Sequence, residues 1–560
     1  MLCAALAVSL TAPARAQPVP FPSAGAGGGG GTEASGSLES GVSADGTSGR
    51  TADGIATGLD TDAARLANSP VRLGGIGAPL GFVTPVREQG RAWTVVPSLG
   101  AQLLATDNLY QTRRNRQSEF ITSFTPGLFV SADTSRIVGS LNYSPQIEFY
   151  ANERGQDRVD HNFAGQALAT LVPGFAYLDV RGLAGTRTAT GGFSPEGTVA
   201  VDRNNRVQTT SFQASPYIVQ RFGGLATAQL GYAYGYSAQE GEDVFLPGGT
   251  QPYFTSQNFT SNEVFGVLRS GEDFGRLNLE ARGSATTYSG SGVLDDAHRT
   301  SGVLQVAYAL TRSVAVLVEG GYESQRYSGN PPIDIEGPIW SVGARLTPDP
   351  YSTIVVRYGR RDGFNSASLE ADVALGARTQ LSASYADRLT TDTLRNQDLL
   401  SVTSLDATGQ PFERNTGAPI SFGEGFLGTQ DSLRRVRRAA LAVTRSWTRD
   451  RVTLSVFHEE QEPVSVVPGT VAFSQRGVSG SLSWAHELTP STSAVAYAQY
   501  GTYRSAAFGS GDVATLSATL FHQLTPRLTA SLQYALTHRS SDNDDRSLQN
   551  IILVALRQEF

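Results

Sequence analysis

The chain has no lysine, one methionine and one cysteine in 560 residues. All of its fixed basic charge is therefore arginine, a usage that reads as a GC-rich genome rather than as a function. The lone Cys3 falls in a short apolar run, Leu2 to Thr11, which is followed by Ala14-Arg15-Ala16, a small-x-small cleavage site before Gln17. Residues 1–16 read as a signal peptide, with the usual charged n-region missing, as if translation began a few codons upstream. No lipobox precedes Cys3, which argues against a lipoprotein. A processed chain would hold no cysteine, excluding disulfides and thiolate metal sites. Nowhere is there a run of about eighteen apolar residues, so helical membrane spans are not expected. The net charge of −7 argues against a nucleic-acid partner. With 40% apolar residues and a mean hydropathy of −0.18, the composition suits alternating strands, whose two faces average to mild polarity.

Residues 17–90 are rich in Gly, Ser, Ala, Thr and Asp, with Gly27 to Gly31 unbroken. Such a composition cannot bury a core and predicts a disordered, flexible periplasmic segment. A TonB-dependent transporter would place a folded plug here, and this segment is too short and too polar for one. From residue 91 to 560 the text changes to period-2 alternation. Leu528, Ala530, Leu532, Tyr534 and Leu536 alternate with Thr529, Ser531, Gln533 and Thr537. Val316, Val318, Gly320 and Tyr322 alternate with Glu319 and Glu323, and Leu277, Leu279 and Ala281 with Glu280 and Arg282. One face suits lipid and the other water.

The connections alternate in length. Short turns are predicted at Asp133-Ser135, Pro173-Gly174, Gly223-Gly224, Gly271-Gly275, Thr311-Ser313, Pro348-Tyr351, Gly376-Thr379, Thr448-Arg451, Thr489-Ser491 and Thr525-Arg527. Longer polar loops separate them, the longest running from Asp392 to Asp431. Short periplasmic turns and long extracellular loops are the pattern of an antiparallel up-and-down transmembrane β-barrel. The walk gives about 22 strands of roughly ten residues, or 18 to 20 if weak strands near Ile339-Leu346 and Ser366-Leu375 are miscounted. A tyrosine follows Thr311, Thr347 and Thr489 at one constant spacing: Tyr322, Tyr358 and Tyr500. That spacing covers about 36 Å of strand, the distance from an inner turn to an outer aromatic girdle.

The final strand has Ile552, Val554, Leu556 and Phe560 on one face. It resembles the closing strand of bacterial outer-membrane barrels, in which a terminal aromatic is part of the assembly signal; Gln558 departs from that pattern. The resemblance implies a Gram-negative outer-membrane location, contact with lipid and lipopolysaccharide, and delivery by the barrel-assembly machinery. The segments Ala105 to Tyr110, Ser123 to Gly127 and Leu141-Asn142-Tyr143, with Leu346 to Pro350 and Tyr358 to Asp362, resemble a β-barrel porin family encoded beside exopolysaccharide operons. That family includes the PEP-CTERM-system-associated and EpsL-like outer-membrane proteins. The resemblance implies export of exopolysaccharide and periplasmic polysaccharide-export proteins as partners. It supplies no catalytic residues.

Strand parity turns Glu280, Arg282, Glu319, Glu323, Arg357 and Arg361 toward the lumen, where they would hydrate the interior or set up a transverse field. In the longest loop Phe412, Phe422, Phe426 and Leu427 would avoid water, which favours a constriction folded inward over a surface flap. Arg434, Arg435, Arg437 and Arg438 open the next strand near the outer rim, two on each face. They are candidates for an anionic polymer or lipopolysaccharide phosphates, or form a plain charge band. His458-Glu459-Glu460 and Asp295-Asp296-His298 lack metal-protease spacing and a nucleophile partner, so they read as solvated strand and loop ends rather than an active site. Tyr232-Tyr234-Tyr236, Tyr497-Tyr500-Tyr503 and Tyr322-Tyr327 would stack on sugars if inward, or form a girdle if outward. No enzyme, cofactor or metal is expected. The leading expectation is a passive exopolysaccharide conduit. The alternatives are a general or substrate-specific porin for small solutes and a structural or adhesive barrel with a closed lumen.

Overall fold

The structure, a computed structural model, describes residues 92–189, 205–246, 249–405, 411–413, 427–542 and 546–560. The segments drawn ahead of the barrel, 1–16 and 17–90, lie outside the described residues.

The alternation in the sequence becomes one closed antiparallel barrel of 22 strands. Its sheet contains 24 hydrogen-bonded segments because two strands are each interrupted once. Ile137–Tyr143 continues as Gln146–Tyr150, and Arg158–Asp160 continues as Phe163–Val172. Proline at residue 145 accounts for the first break, since it has no N–H for the ladder. Closure joins the first strand, Trp93–Thr106, to the last, Ser547–Glu559, in register from Ser98 opposite Glu559 to Thr106 opposite Ile551. A closed ladder has no free edge, which is what a strand protein needs in hydrocarbon. The two strands of doubtful count are present as Ile333–Leu346 and Phe364–Ala374.

All ten predicted short turns fall between strands at one rim, and the longer connections leave the other. Outward positions carry Leu482, Trp484, Leu516, Leu532, Ile552, Val554 and Leu556, all well exposed. Tyr322, Tyr358 and Tyr500 also point outward, as their common spacing requires. Inward positions are polar and buried, for example Ser455 and Ser481, whose hydroxyls meet at 2.7 Å across neighbouring strands. A barrel apolar outside and polar inside belongs in a membrane, here the Gram-negative outer membrane. Phe560 ends at the seam, outward and exposed, its N–H donating to the Pro97 carbonyl at 3.0 Å.

Candidate functional site

The longest connection is not a featureless loop, contrary to expectation. After the strand Thr379–Thr390 the chain turns inward and forms a helix, Asp392–Val402. Thr391 caps it, its hydroxyl oxygen accepting from the Leu394 N–H at 3.1 Å. Asp392 in the first turn suits the positive end of the helix dipole. Thr403–Leu405 then pairs with Pro411–Glu413. Threonine capping followed by an acidic first turn was present in the sequence, and was the one signal that could have located this helix.

This segment is held by both sides of the barrel. Asp392 forms an ion pair with Arg434, near the start of the strand Ser432–Ser446, and lies 3.7 Å from Arg187 on the strand Ala176–Thr188. Those strands are the sixteenth and fifth of 22, half a circumference apart. Arg395 reaches Glu459 at 3.2 Å, and Arg438 reaches the same carboxylate at 3.4 Å. From the far wall, Arg181 donates to the Leu400 carbonyl at 3.1 Å and Ser237 to the Thr393 carbonyl at 3.1 Å. Gln397 donates to Ser261 at 2.7 Å. Apolar contacts fill the gaps: Leu394 packs with Phe259, Tyr288, Tyr327 and Leu433, and Leu400 with Ala164 and Leu183. Burial alone would raise the Asp392 carboxyl. The guanidiniums of Arg434, Arg187 and Arg395 outweigh that and hold it below the usual carboxylate range.

Beyond the helix the outer mouth is bridged. The Thr429 N–H donates to the Ala189 carbonyl at 2.8 Å, that of Asp431 to Tyr253 at 3.0 Å, and that of Val471 to Pro252 at 3.0 Å. Gln430 and Phe473 exchange side-chain-to-backbone bonds at 2.8 and 3.1 Å. Tyr253, Phe473 and Phe508 pack edge-to-face here, with Phe254 in the same apolar cluster. The residues come from loops on opposite walls, so the contacts cross the axis. At their junction the Asp431 carboxylate accepts from the Thr255 N–H and from its hydroxyl, the latter at 2.6 Å. Burial nonetheless pushes the Asp431 carboxyl up to about 7.

Of the constriction candidates, Leu427 is buried against Phe457 and Val513. Phe412 stands in the short strand Pro411–Glu413, with its side chain outside the described part, and Phe422 and Phe426 lie outside the described residues. All six pore-lining candidates share the inward face. Glu319 draws three arginines to one carboxylate: Arg361 at 2.9 Å, Arg282 at 3.0 Å and Arg357 at 3.7 Å. Glu280 pairs with Arg269 at 2.6 Å. Glu323 accepts the Gly363 N–H at 3.1 Å, beside Asp362, which accepts from the Leu389 N–H at 3.2 Å.

The four rim arginines divide between the two faces of their strand, and their partners are protein carboxylates. Arg434 and Arg438 turn inward as above. Arg435 pairs with Asp387 at 2.5 Å and stacks on Phe364, and Arg437 pairs with Glu460 at 2.9 Å and Glu462 at 3.2 Å. His458 and Glu460 face outward while Glu459 faces inward, so that triplet does not converge on one site. Tyr232 and Tyr234 are exposed outward and Tyr322 likewise, whereas Tyr497 and Tyr327 are buried inside on Gln499 and Gln325.

No known protein-family profile matches the chain, and no curated protein matches it. Among solved structures, the open form of the ferric-catecholate import receptor Fiu from E. coli K12 matches at 10% identity and a TM-score of 0.44, covering 83% of this chain and 82% of that one. The siderophore receptor PirA from Acinetobacter baumannii matches at 7% identity and a TM-score of 0.43, covering 83% and 80%. The ferric preacinetobactin receptor BauA from the same organism matches at 10% and 0.45, covering 83% and 80%. One of these is an import receptor, one a siderophore receptor and one a ferric preacinetobactin receptor, and none is an exopolysaccharide porin. The suspected family is withdrawn, together with polymer export and the periplasmic export partners, while a porin for small solutes is only partly compatible with such neighbours. The motifs that suggested the family have a plainer cause. Thr347 to Pro350 form a tight rim turn and Leu346 and Tyr358 sit on the lipid face, positions that any barrel fills in this way. The exclusion of a plugged transporter rested on residues 17–90, outside the described residues, and is not carried further.

Proposed function

We propose that this barrel is a gated uptake passage for small polar solutes. The observation that carries the reading is the inward segment, Asp392–Val402 with 427–431, which is hydrogen-bonded and ion-paired to opposite walls across the lumen. It stands at the long-loop end, where a solute arriving from outside meets it first. Its surroundings are arginines and carboxylates, which favour polar ligands over apolar ones. A hydrated polymer needs a wide, weakly binding bore, and a bridged mouth opposes that. An open diffusion pore would not invest buried ion pairs in closing itself, since each holds charge away from water at a cost of several kcal/mol unless paired.

Single-channel conductance of the refolded barrel, with and without residues 392–427, tests the reading. A nearly closed wild type and a deletion about ten-fold or more conductive are expected, as a lumen freed of its constriction would allow. Equal and large conductance in both would overturn it.

A further inference from the structure

On the outer surface, near the long-loop rim, Arg476 and Arg504 lie directly opposite each other on the paired strands Gln475–Thr489 and Thr492–Ser505. Like charges in that relation destabilise a sheet. Neither guanidinium has a hydrogen bond or ion pair with a described residue, whereas Arg435 and Arg437, outward on the strand Ser432–Ser446, are each matched by carboxylates. The two arginines line a groove of about 720 Å³ together with His458, Arg546, Asp512 and Asp542. Both acids are already engaged. Asp512 accepts from the Tyr500 hydroxyl at 3.1 Å and from Ser540 at 3.4 Å, and Asp542 accepts the Ser510 N–H at 2.9 Å.

The height of the groove names its occupant. Arg504 stands about 12 residues above the inner turn, about 40 Å of strand, or roughly 30 Å along the axis at the usual tilt. That is just above an apolar band about 25 Å tall. On the same outward face and below it lie Val478, Leu482, Trp484, Tyr500 and Leu516, all exposed. Acyl chains would pack on that apolar surface while an anionic headgroup met the groove. We propose that Arg476 and Arg504 form a binding site for the phosphorylated headgroup of an outer-leaflet glycolipid. One phosphate between two guanidiniums relieves their repulsion and satisfies their donors.

The test uses the full barrel in phosphatidylcholine vesicles containing either bisphosphorylated or dephosphorylated lipid A, with bound glycolipid counted after re-extraction. Wild type is expected to retain the bisphosphorylated lipid, and R476A/R504A to lose about ten-fold or more of that retention. R326A, which removes an exposed arginine from a distant strand, is expected to retain it, and heat-modifiable gel mobility confirms that every variant is folded. Retention unchanged in R476A/R504A, or equal retention of dephosphorylated lipid, would overturn the proposal. Displacement of the lipid by millimolar inorganic phosphate would also overturn it, because the site would then take a soluble anion.

Discussion

Four arginines of one strand, Arg434, Arg435, Arg437 and Arg438, carry the same side chain into two different environments. Arg434 is 1% exposed and closes on Asp392 inside the barrel, while the Arg437 side chain, 29% exposed, meets Glu460 and Glu462 outside. Inside, the charges are sealed from water, so each depends on its partner, and losing one leaves the other stranded. Outside, water and salt screen the same pairing and little rests on it. A strand thus assigns consequence by parity. The inward pair ties the crossing segment to the wall and the outward pair decorates the rim.

The comparison breaks most visibly at Arg434. R434A leaves the Asp392 carboxylate buried with a weaker partner set, at an expected cost of about 3–5 kcal/mol to the docked segment. Heat-induced unfolding in detergent should shift down and the leak current should rise; an unchanged current would mean that the ion pair does not hold the segment. E319Q comes next. Removing the carboxylate shared by Arg282, Arg361 and Arg357 leaves surplus positive charge in the lumen. In the barrel opened by deleting 392–427, reversal potentials should move toward anion selectivity, and no shift would take those residues off the permeation path.

A pH effect follows from Asp431. Its carboxyl titrates near 7 in the folded lid and near 3.8 when free, so the lid gains stability from the neutral form. That contribution is complete below 3.8 and is lost as pH rises through about 7. Asp392 acts oppositely: its contribution holds above 3.8 and fades only as pH falls through its depressed value. Leak should therefore grow between pH 5 and 8, and D431N should flatten the profile; a wild-type profile already flat would remove Asp431 from the gate. The smallest effect is expected from R437A, within about 1 kcal/mol on thermal unfolding, as for exposed pairs. A loss as large as that of R434A would erase the distinction between the two faces.

The barrel was legible in the sequence because each strand repeats one rule, apolar out and polar in, and a membrane of fixed thickness repeats its spacing. Tyr322, Tyr358 and Tyr500 made that thickness readable, and the turns placed both rims. Inward parity of Glu319 and Arg361 was readable for the same reason, but their convergence on one site was not. It depends on which strands stand side by side at one height. The crossing segment was harder still. Asp392 and Arg187 are distant in sequence and meet only because the helix crosses the lumen, and nothing local to either residue encodes that crossing. The family resemblance failed for a related reason: short turn and girdle motifs report barrel geometry, which unrelated barrels share.

The central claim is that the segment after Thr390 lies across the lumen against the far wall. Cysteines placed at Gln397 and Ser261, whose side chains are 2.7 Å apart, test it most directly in a chain whose only other cysteine is Cys3. A short bis-maleimide applied to whole cells should join them into a species of altered gel mobility and lock the leak current at its low level. If both cysteines label singly and no cross-link forms, the segment is not docked in the lumen and the gated passage is wrong.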